Sequence, residues 1–276
     1  MLRSARSRGG QSLGAAFDRF CTPVQLERRK ASAGKFARIA LDLPFGRLTG
    51  IAGGPEDGPP VLLVHGWNSQ AEFFQPLLSA CVRQGLRVYA FDMPAHGQTR
   101  EANPHKPAST LVEWVETLID ASRALNVAGW KCIIAHSFGG LAAGYALGAR
   151  PWAGQPPTKA QSLVLLAGAA GMPTVIDSYA RSTGAPESDI EDIRAGVVAA
   201  CHVPLPQITV AAVADALPPR ILVMHDPADD VARLADLKAG LAAHPPSEEI
   251  LRPGAGHDGI LFQLDVFRAV SKFASA

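Results

Sequence analysis

The feature that most constrains the fold is a series of short, largely apolar strands that alternate with longer segments of helical periodicity. Strands that must be buried on both faces belong in a parallel sheet with helices packed on either side. Ser109 is the predicted N-cap of the helix at 110–125. The strands are predicted at residues 36–43, 47–52, 61–64, 86–91, 131–135, 162–166, 220–224 and 248–251. The helices are predicted at residues 71–83, 110–125, 138–149, 188–200, 232–243 and 260–274. The sequence therefore predicts an α/β fold: a mostly parallel central sheet with helices on both faces.

The composition narrows the class of protein. Of the 276 residues, 47% are hydrophobic, which is enough for a large buried core. The net charge of +1 and the absence of a basic cluster give no support for a nucleic-acid partner. No apolar run approaches the roughly 18 residues that a membrane span requires. The four cysteines are widely spaced without a C-x-x-C motif, so we expect reduced thiols and a cytoplasmic protein.

The chain divides into an extension and one domain. Residues 1–35 are rich in arginine, lack the apolar core of a secretory signal and are predicted to be a partly disordered N-terminal extension. Residues 36–276 form the predicted domain. About fifty residues separate two of its strands, and a structureless loop of that length is uncommon. We therefore predict a small helical cap insertion at about 169–217.

One strand of the sheet ends in a serine, in the sequence KCIIAHSFGG at 131–140. A sharp turn from strand to helix would expose Ser137 above the sheet edge, provided that the residues two before and two after it are small. These residues are Ala135 and Gly139, so the sequence departs from the G-x-S-x-G pattern at one position. The short pattern alone fits a nucleophile or an ordinary helix N-cap serine equally well.

A serine nucleophile needs a base and an acid that orients the base, and in this architecture both follow later in the chain. His257 lies in a glycine-rich loop after the last strand. The preceding strand is followed by HDPADDVA, which contains three acids. Asp229 is the favoured partner because it lies far enough round the loop to reach the histidine. Asp230 is the next candidate, and Asp226 is expected to cap or tie the turn.

The oxyanion that forms during attack needs hydrogen-bond donors already directed at it. The backbone N–H of Phe138, at the start of the helix, is one predicted donor. The second is the N–H of Trp67, in the loop that follows the strand at 61–64. Gly66 allows this loop to approach the serine closely.

These segments together resemble the α/β-hydrolase superfamily, and most closely its bacterial esterase-like members with a short helical cap. The resemblance implies that the triad acid is Asp229 and that the loop after the fourth strand is structural, with no catalytic role for Asp92, His96 or Gly97. The matching segments are LLVHGW (62–67), VYAFDMPAHGQT (88–99), IIAHSFGG (133–140), LVMHDPADDVA (222–232) and GAGHDGIL (254–261).

The chain departs from the family pattern in two motifs. Ala95 and Thr99 stand where the first motif usually has glycine and serine. In the acid motif, Asp226 stands for a glycine, and Ala232 and Arg233 replace the usual final pair.

The residues and the resemblance together predict a serine hydrolase. Its substrate would be a small-molecule carboxylic ester or thioester with a small to medium uncharged acyl group, cleaved through an acyl-enzyme. Two alternatives stay open: an acyltransferase or cofactor-free perhydrolase with the same triad, and a non-catalytic ligand-binding member. No cofactor is expected, because 139–144 is not a dinucleotide fingerprint. The cluster of His225, Asp226, Asp229 and Asp230 is interpreted as a turn with one triad acid rather than a metal site.

Overall fold

The computed structural model describes residues 14–24, 36–148 and 157–276. Most of the predicted N-terminal extension, at 1–13 and 25–35, lies outside the described residues. The last residue of the helix predicted at 138–149 also lies outside them.

Within the described residues, eight strands form one sheet. The order across the sheet is β1-β2-β4-β3-β5-β6-β7-β8. Strand β2 pairs antiparallel with β1 and β4, and every other neighbouring pair is parallel. The prediction of a mostly parallel α/β sheet is therefore confirmed. The strands are β1 (Ala37–Leu43), β2 (Gly46–Gly53), β3 (Pro60–Val64), β4 (Arg87–Asp92), β5 (Cys132–His136), β6 (Ser162–Leu166), β7 (Arg220–His225) and β8 (Glu248–Leu251).

Nine α-helices accompany the sheet in the described part of the chain. Helices α4 and α5 cover one face and helices α2 and α9 cover the other. The helices are α1 (Ala15–Phe20), α2 (Gln75–Arg83), α3 (Gly97–Ala102), α4 (Leu111–Ala124), α5 (Phe138–Leu147), α6 (Met172–Thr183), α7 (Glu187–Cys201), α8 (Leu234–Gly240) and α9 (Leu264–Ser275).

The central strands are buried on both faces because alternate side chains join two separate cores. In β5, Ile133 and Ala135 pack with α4 and α5, whereas Cys132 and Ile134 pack with α2 and α9. Successive side chains of a strand point to opposite faces, so each face needs its own apolar cover. This double burial explains why the strands are short and apolar throughout, and it places their carboxyl ends along one open edge.

The start of α4 differs from the prediction. Thr110, not Ser109, is the N-cap: its hydroxyl accepts the Glu113 N–H, and its own N–H donates to the Glu113 carboxylate. Such a reciprocal pair of hydrogen bonds, called a capping box, is typical of a helix that begins after threonine and has glutamate three residues after that threonine. The Ser109 hydroxyl instead donates to the Pro94 carbonyl at 2.8 Å and accepts from the Trp114 indole at 3.0 Å. It thus joins the loop after β4 to α4.

The segment between β6 and β7 is helical. It contains α6, α7 and two 3-10 turns, at Leu205–Gln207 and Val210–Ala216. The helix predicted at 188–200 is present as α7. Helix α6 was not located from the sequence; Pro173 lies in its first turn, where a missing N–H costs no hydrogen bond. Helix α1 packs against α7, far from it in sequence.

The first turn of α5 lies against the end of β3. A Cβ added to Gly139 would lie 2.4 Å from the His65 carbonyl oxygen and 2.8 Å from that of Val64. A Cβ added to Gly140 would lie 3.1 Å from the Leu165 side chain and 3.7 Å from the Gly168 Cα, an ordinary contact distance. Gly139 is therefore the position that permits helix and strand backbones to approach.

This difference predicts unequal costs for two neighbouring substitutions. Gly139→Ala and Gly140→Ala gain similar helix propensity, about 1 kcal/mol each. Only Gly139→Ala forces two backbones apart, which typically costs about 1–3 kcal/mol. We expect Gly139→Ala to be the less stable variant by that amount in urea denaturation. Equal free energies of unfolding for the two variants would contradict the close approach.

Candidate active site

Ser137 occupies the turn between β5 and α5 in a rarely populated backbone conformation, with φ 51° and ψ −124°. Such a conformation costs about 1–3 kcal/mol in a residue with a side chain and persists only where its surroundings impose it. Here the Ser137 N–H donates to the Leu166 carbonyl, and its own carbonyl accepts from Gly140. Although Ser137 stands at the N-cap position, its side chain makes no capping hydrogen bond. The turn leaves the hydroxyl free for another partner.

That partner is His257, which lies between the serine and an acid. The Nε2 atom of His257 is 2.8 Å from the Ser137 hydroxyl oxygen. Its Nδ1 atom is 2.7 Å from the Asp229 carboxylate. With Asp229 ionised, Nδ1 donates to the acid, and Nε2 is left to accept the serine proton. The structure thus brings together the three side chains that the sequence singled out for a triad.

The other two acids of this loop lie elsewhere. The Asp230 side chain is exposed, and its backbone carbonyl accepts from Arg181. The Asp226 carboxylate accepts the N–H groups of Ala228 at 2.9 Å and Gly256 at 2.7 Å. These N–H donors hold the pKa of Asp226 below its ordinary value. Asp226 therefore ties the loop after β7 to the loop that carries the histidine.

Asp229 is buried and fully hydrogen-bonded. One carboxylate oxygen accepts the N–H groups of Val231 at 2.9 Å and Ala232 at 3.0 Å. The other faces His257, with His225 Nε2 at 3.5 Å. Burial opposes ionisation, but the nearby His225 and His257 side chains and the Ala232 N–H outweigh it and hold the pKa of Asp229 well below its usual range. The acid is therefore ionised at neutral pH.

Two further histidines support this arrangement and were not predicted from the sequence. His225 Nε2 lies 2.6 Å from the Ala232 carbonyl, which fixes the turn around Asp229. His136 Nε2 lies 3.0 Å from the His257 carbonyl. Burial, followed by the charge of His257, lowers the pKa of His136 to about 4, so it is neutral. Their positions in the sequence could have identified them, because His225 ends β7 and His136 directly precedes Ser137.

The two predicted oxyanion donors lie beside the serine. Phe138 is the first residue of α5, where an N–H has no acceptor within its own helix. Trp67 follows Gly66, whose Cα approaches the serine so closely that an added Cβ would lie 3.0 Å from Ser137 Cβ. Trp67 and Phe138 both line the cavity in front of the serine. Glycine at 66 is thus required for this loop to reach the site.

His65 sets the orientation of the loop. Its Nε2 accepts the Met93 N–H at 2.9 Å, so Nδ1 carries the proton and donates to the Gly66 carbonyl at 2.7 Å. In a trans peptide the C=O and the following N–H point in opposite directions. The bond from His65 to the Gly66 carbonyl therefore turns the Trp67 N–H to the opposite side. Burial, followed by the neighbouring His96, lowers the pKa of His65 to about 3, which keeps this neutral form.

A cavity of about 550 Å³ opens in front of Ser137. Its walls are mainly apolar and come from α1, α6, α7 and the loops after β3 and β8. No lysine or arginine from the described part of the chain lines it. The volume lies in the range of pockets that enclose small-molecule ligands. The arrangement can therefore hold an uncharged group beside the serine.

One group of side chains in the described residues has the spacing of metal ligands: His136, His257 and Asp258. Both ring nitrogens of His257 already have partners, in Asp229 and Ser137. We therefore interpret this group as part of the hydrogen-bonded site. Separately, no helix of the described ranges is both long and apolar enough to cross a membrane.

Comparison with known proteins gives consistent matches. A family model described as "alpha/beta hydrolase fold" matches residues 59–185. The chain is 30% identical over 151 residues to the serine hydrolase-like protein of Danio rerio. The aligned region covers 54% of this chain and 41% of that protein. The chain thus spans less than half the length of this curated relative.

Solved structures match over most of the chain. An esterase of Pyrococcus furiosus superposes with a TM-score of 0.66 at 14% identity, covering 91% of this chain and 96% of the other. Naproxen esterase (carboxylesterase NP) of Bacillus subtilis gives a TM-score of 0.63 at 18% identity, covering 87% and 92%. At such identities the likeness establishes a shared fold.

The loops around the site contain buried groups whose protonation should affect stability. Burial lowers the pKa of His96 to about 4, as it does for His136, while that of His65 is about 3. Burial raises the pKa of Asp92 to about 6. The same groups titrate near 6.5 and 3.9 in an unfolded chain. At pH 5 the unfolded state therefore binds about two more protons than the folded state at these four groups.

We predict that the free energy of unfolding falls as the pH drops from 6.5 towards 4. The buried neutral histidines contribute fully to the free energy of unfolding above about pH 6.5, and this contribution is lost as the pH falls. Near pH 5 the free energy of unfolding should change by about 3 kcal/mol per pH unit. Urea denaturation at pH 7, 6 and 5 measures it. His96→Gln should reduce the slope by about half, and His105→Gln, at an exposed position, is the matched control. A flat profile would contradict the buried neutral histidines.

Proposed function

We propose that the chain is a serine hydrolase of the α/β-hydrolase superfamily, whose family model matches residues 59–185, and that Ser137, His257 and Asp229 form its catalytic triad. The single observation that carries the proposal is the pair of hydrogen bonds at His257, 2.8 Å to the serine and 2.7 Å to the acid. The strained turn at Ser137 supports it, because the strain keeps the hydroxyl from capping α5.

The proposed reaction proceeds in two halves. Ser137 Oγ attacks the acyl carbon while His257 Nε2 takes the hydroxyl proton, and Asp229 stabilises the imidazolium. The N–H groups of Trp67 and Phe138 stabilise the oxyanion. The tetrahedral intermediate collapses, and the leaving alcohol or thiol takes the proton from His257. Water then attacks the acyl-enzyme by the same route, releasing the acid and restoring the serine.

The proposed substrate is a carboxylic ester or thioester with an uncharged acyl group of small to medium size. Its support is the apolar cavity of about 550 Å³ and the absence of lysine or arginine among the described residues that line it. Helices α6 and α7, which contribute to the walls, correspond to the predicted cap insertion at about 169–217. We propose that this segment selects the substrate.

We also propose a reducing location such as the cytoplasm. All four cysteines are free and buried. Unpaired thiols persist where the environment is reducing.

The triad is tested with a fluorophosphonate probe and p-nitrophenyl acetate and butyrate. Wild-type protein should be labelled and should cleave both esters. Ser137→Ala should abolish labelling, and Ser137→Ala and His257→Ala should each lower kcat by about 10⁴–10⁶-fold. A folded wild-type protein that is inert to probe and esters would overturn the proposal. An added alcohol that yields new esters would instead favour the acyltransferase alternative.

A matched pair identifies the acid. Asp229→Asn keeps the size of the side chain but removes the charge that orients and stabilises the imidazolium, so kcat should fall by about 10⁴-fold. Asp230→Asn makes the same change on the neighbouring exposed residue and should leave kcat within about twofold. Steady-state kinetics on both variants decides the assignment, and a larger loss in Asp230→Asn would reverse it.

A further inference from the structure

Helix α1 lines the cavity although it lies far from the other walls in sequence. Phe17, Phe20 and Cys21 all border the space in front of Ser137. We propose that residues 14–24 form an acyl-specificity wall, which limits the length of the acyl group that the site accepts. The proposal rests on the proposed function, in which Ser137 carries the acyl group. Residues 14–24 also precede the part of the chain that matches the family model, 59–185.

The ring of Phe17 packs against Gly196 and holds α1 on α7. Phe17 is buried against Gly196, where an added Cβ would lie only 2.3 Å from the phenyl ring. The absence of a side chain at Gly196 therefore creates the slot that receives Phe17. An ion pair between Arg19 and Asp189, at 2.6 Å, lies alongside. Exposed pairs of this kind contribute little, about 0–1 kcal/mol, so the aromatic slot is the main anchor.

Hydrogen bonds from the backbone of the residues after α1 hold this segment against the core. The Cys21 carbonyl accepts the Ser109 N–H at 2.8 Å. The Val24 N–H donates to the Asn68 side-chain oxygen at 2.8 Å. Asn68 directly follows Trp67, so the N-terminal segment runs beside the loop of the proposed oxyanion donor. The wall is therefore attached both to the cap helices and to the reacting end of the cavity.

The side chains that this wall presents suit an alkyl or aryl group. The Phe20 ring packs edge-on against Tyr179 of α6, with ring centroids 5.1 Å apart, and both residues line the cavity. Burial raises the pKa of the Cys21 thiol well above its ordinary value, so this side chain stays uncharged. Phe20 is partly buried and packs against α6, so a change in the size of its side chain should change the depth of the cavity.

The test uses p-nitrophenyl esters from acetate to octanoate and two changes at one position. Phe20→Ala enlarges the cavity and should raise the ratio of kcat/KM for octanoate to that for acetate by about tenfold. Phe20→Trp narrows it and should lower the ratio. Phe45→Ala is the matched control, because Phe45 is also partly buried but does not line the cavity. Wild-type ratios in both Phe20 variants would overturn the proposal.

A second variant tests the slot from the α7 side. Gly196→Ala improves the helix propensity of α7 but places a methyl group where the Phe17 ring lies. We expect the octanoate to acetate ratio to rise as in Phe20→Ala, while the rate of fluorophosphonate labelling at Ser137 changes by less than about threefold. An unchanged ratio would mean that α1 does not limit acyl length.

Binding separates this proposal from the proposed function. In the Ser137→Ala protein, methyl octanoate should bind, and the added change Phe20→Trp should weaken binding by about tenfold in calorimetry. If wild-type protein is inert to the probe and this difference is found, the triad proposal fails and the wall is supported. If the probe labels Ser137 and no difference appears, the wall proposal fails and the triad stands.

Discussion

The site depends on one turn, in which the buried strand β5 is forced directly into helix α5 with Ser137 at the bend. The strained backbone at this residue is held in place by both strands that flank β5. Leu166 of β6 accepts the Ser137 N–H, and Gly139 lets the helix rest on the end of β3. Without these neighbours, the serine would relax into an ordinary cap, and its hydroxyl would turn to the helix.

Further hydrogen bonds stabilise the position of His257 beside the serine. Asp226 and His136 hold the backbone on either side of the His257 ring, at Gly256 and at the His257 carbonyl. Because each loop is bonded to the next, the short contacts at the histidine come from a rigid frame rather than from flexible side chains. Preorganisation of this kind is what electrostatic catalysis requires.

The sequence located the strands well, since strands buried on both faces must be apolar along their whole length. It also singled out the three side chains that the structure brings together. Its errors concern residues whose partners depend on tertiary structure. Ser109 was misassigned because its hydroxyl meets Pro94 and Trp114, contacts that no local pattern encodes. His225 was missed for the same reason, since its partner is a backbone carbonyl.

The docking of α1 on α7 also determines when the cavity can exist during folding. The ion pair beside the aromatic slot joins residues 170 positions apart. Contacts of such separation form late, because a long loop of chain must close before they contribute. During synthesis α1 emerges first and has no slot until Gly196 has been made and α7 has folded. His257 is made later than Gly196, so α1 can dock on α7 before Ser137 and His257 come together, and the order of chain synthesis places the proposed apolar wall before the hydrogen bonds of the site.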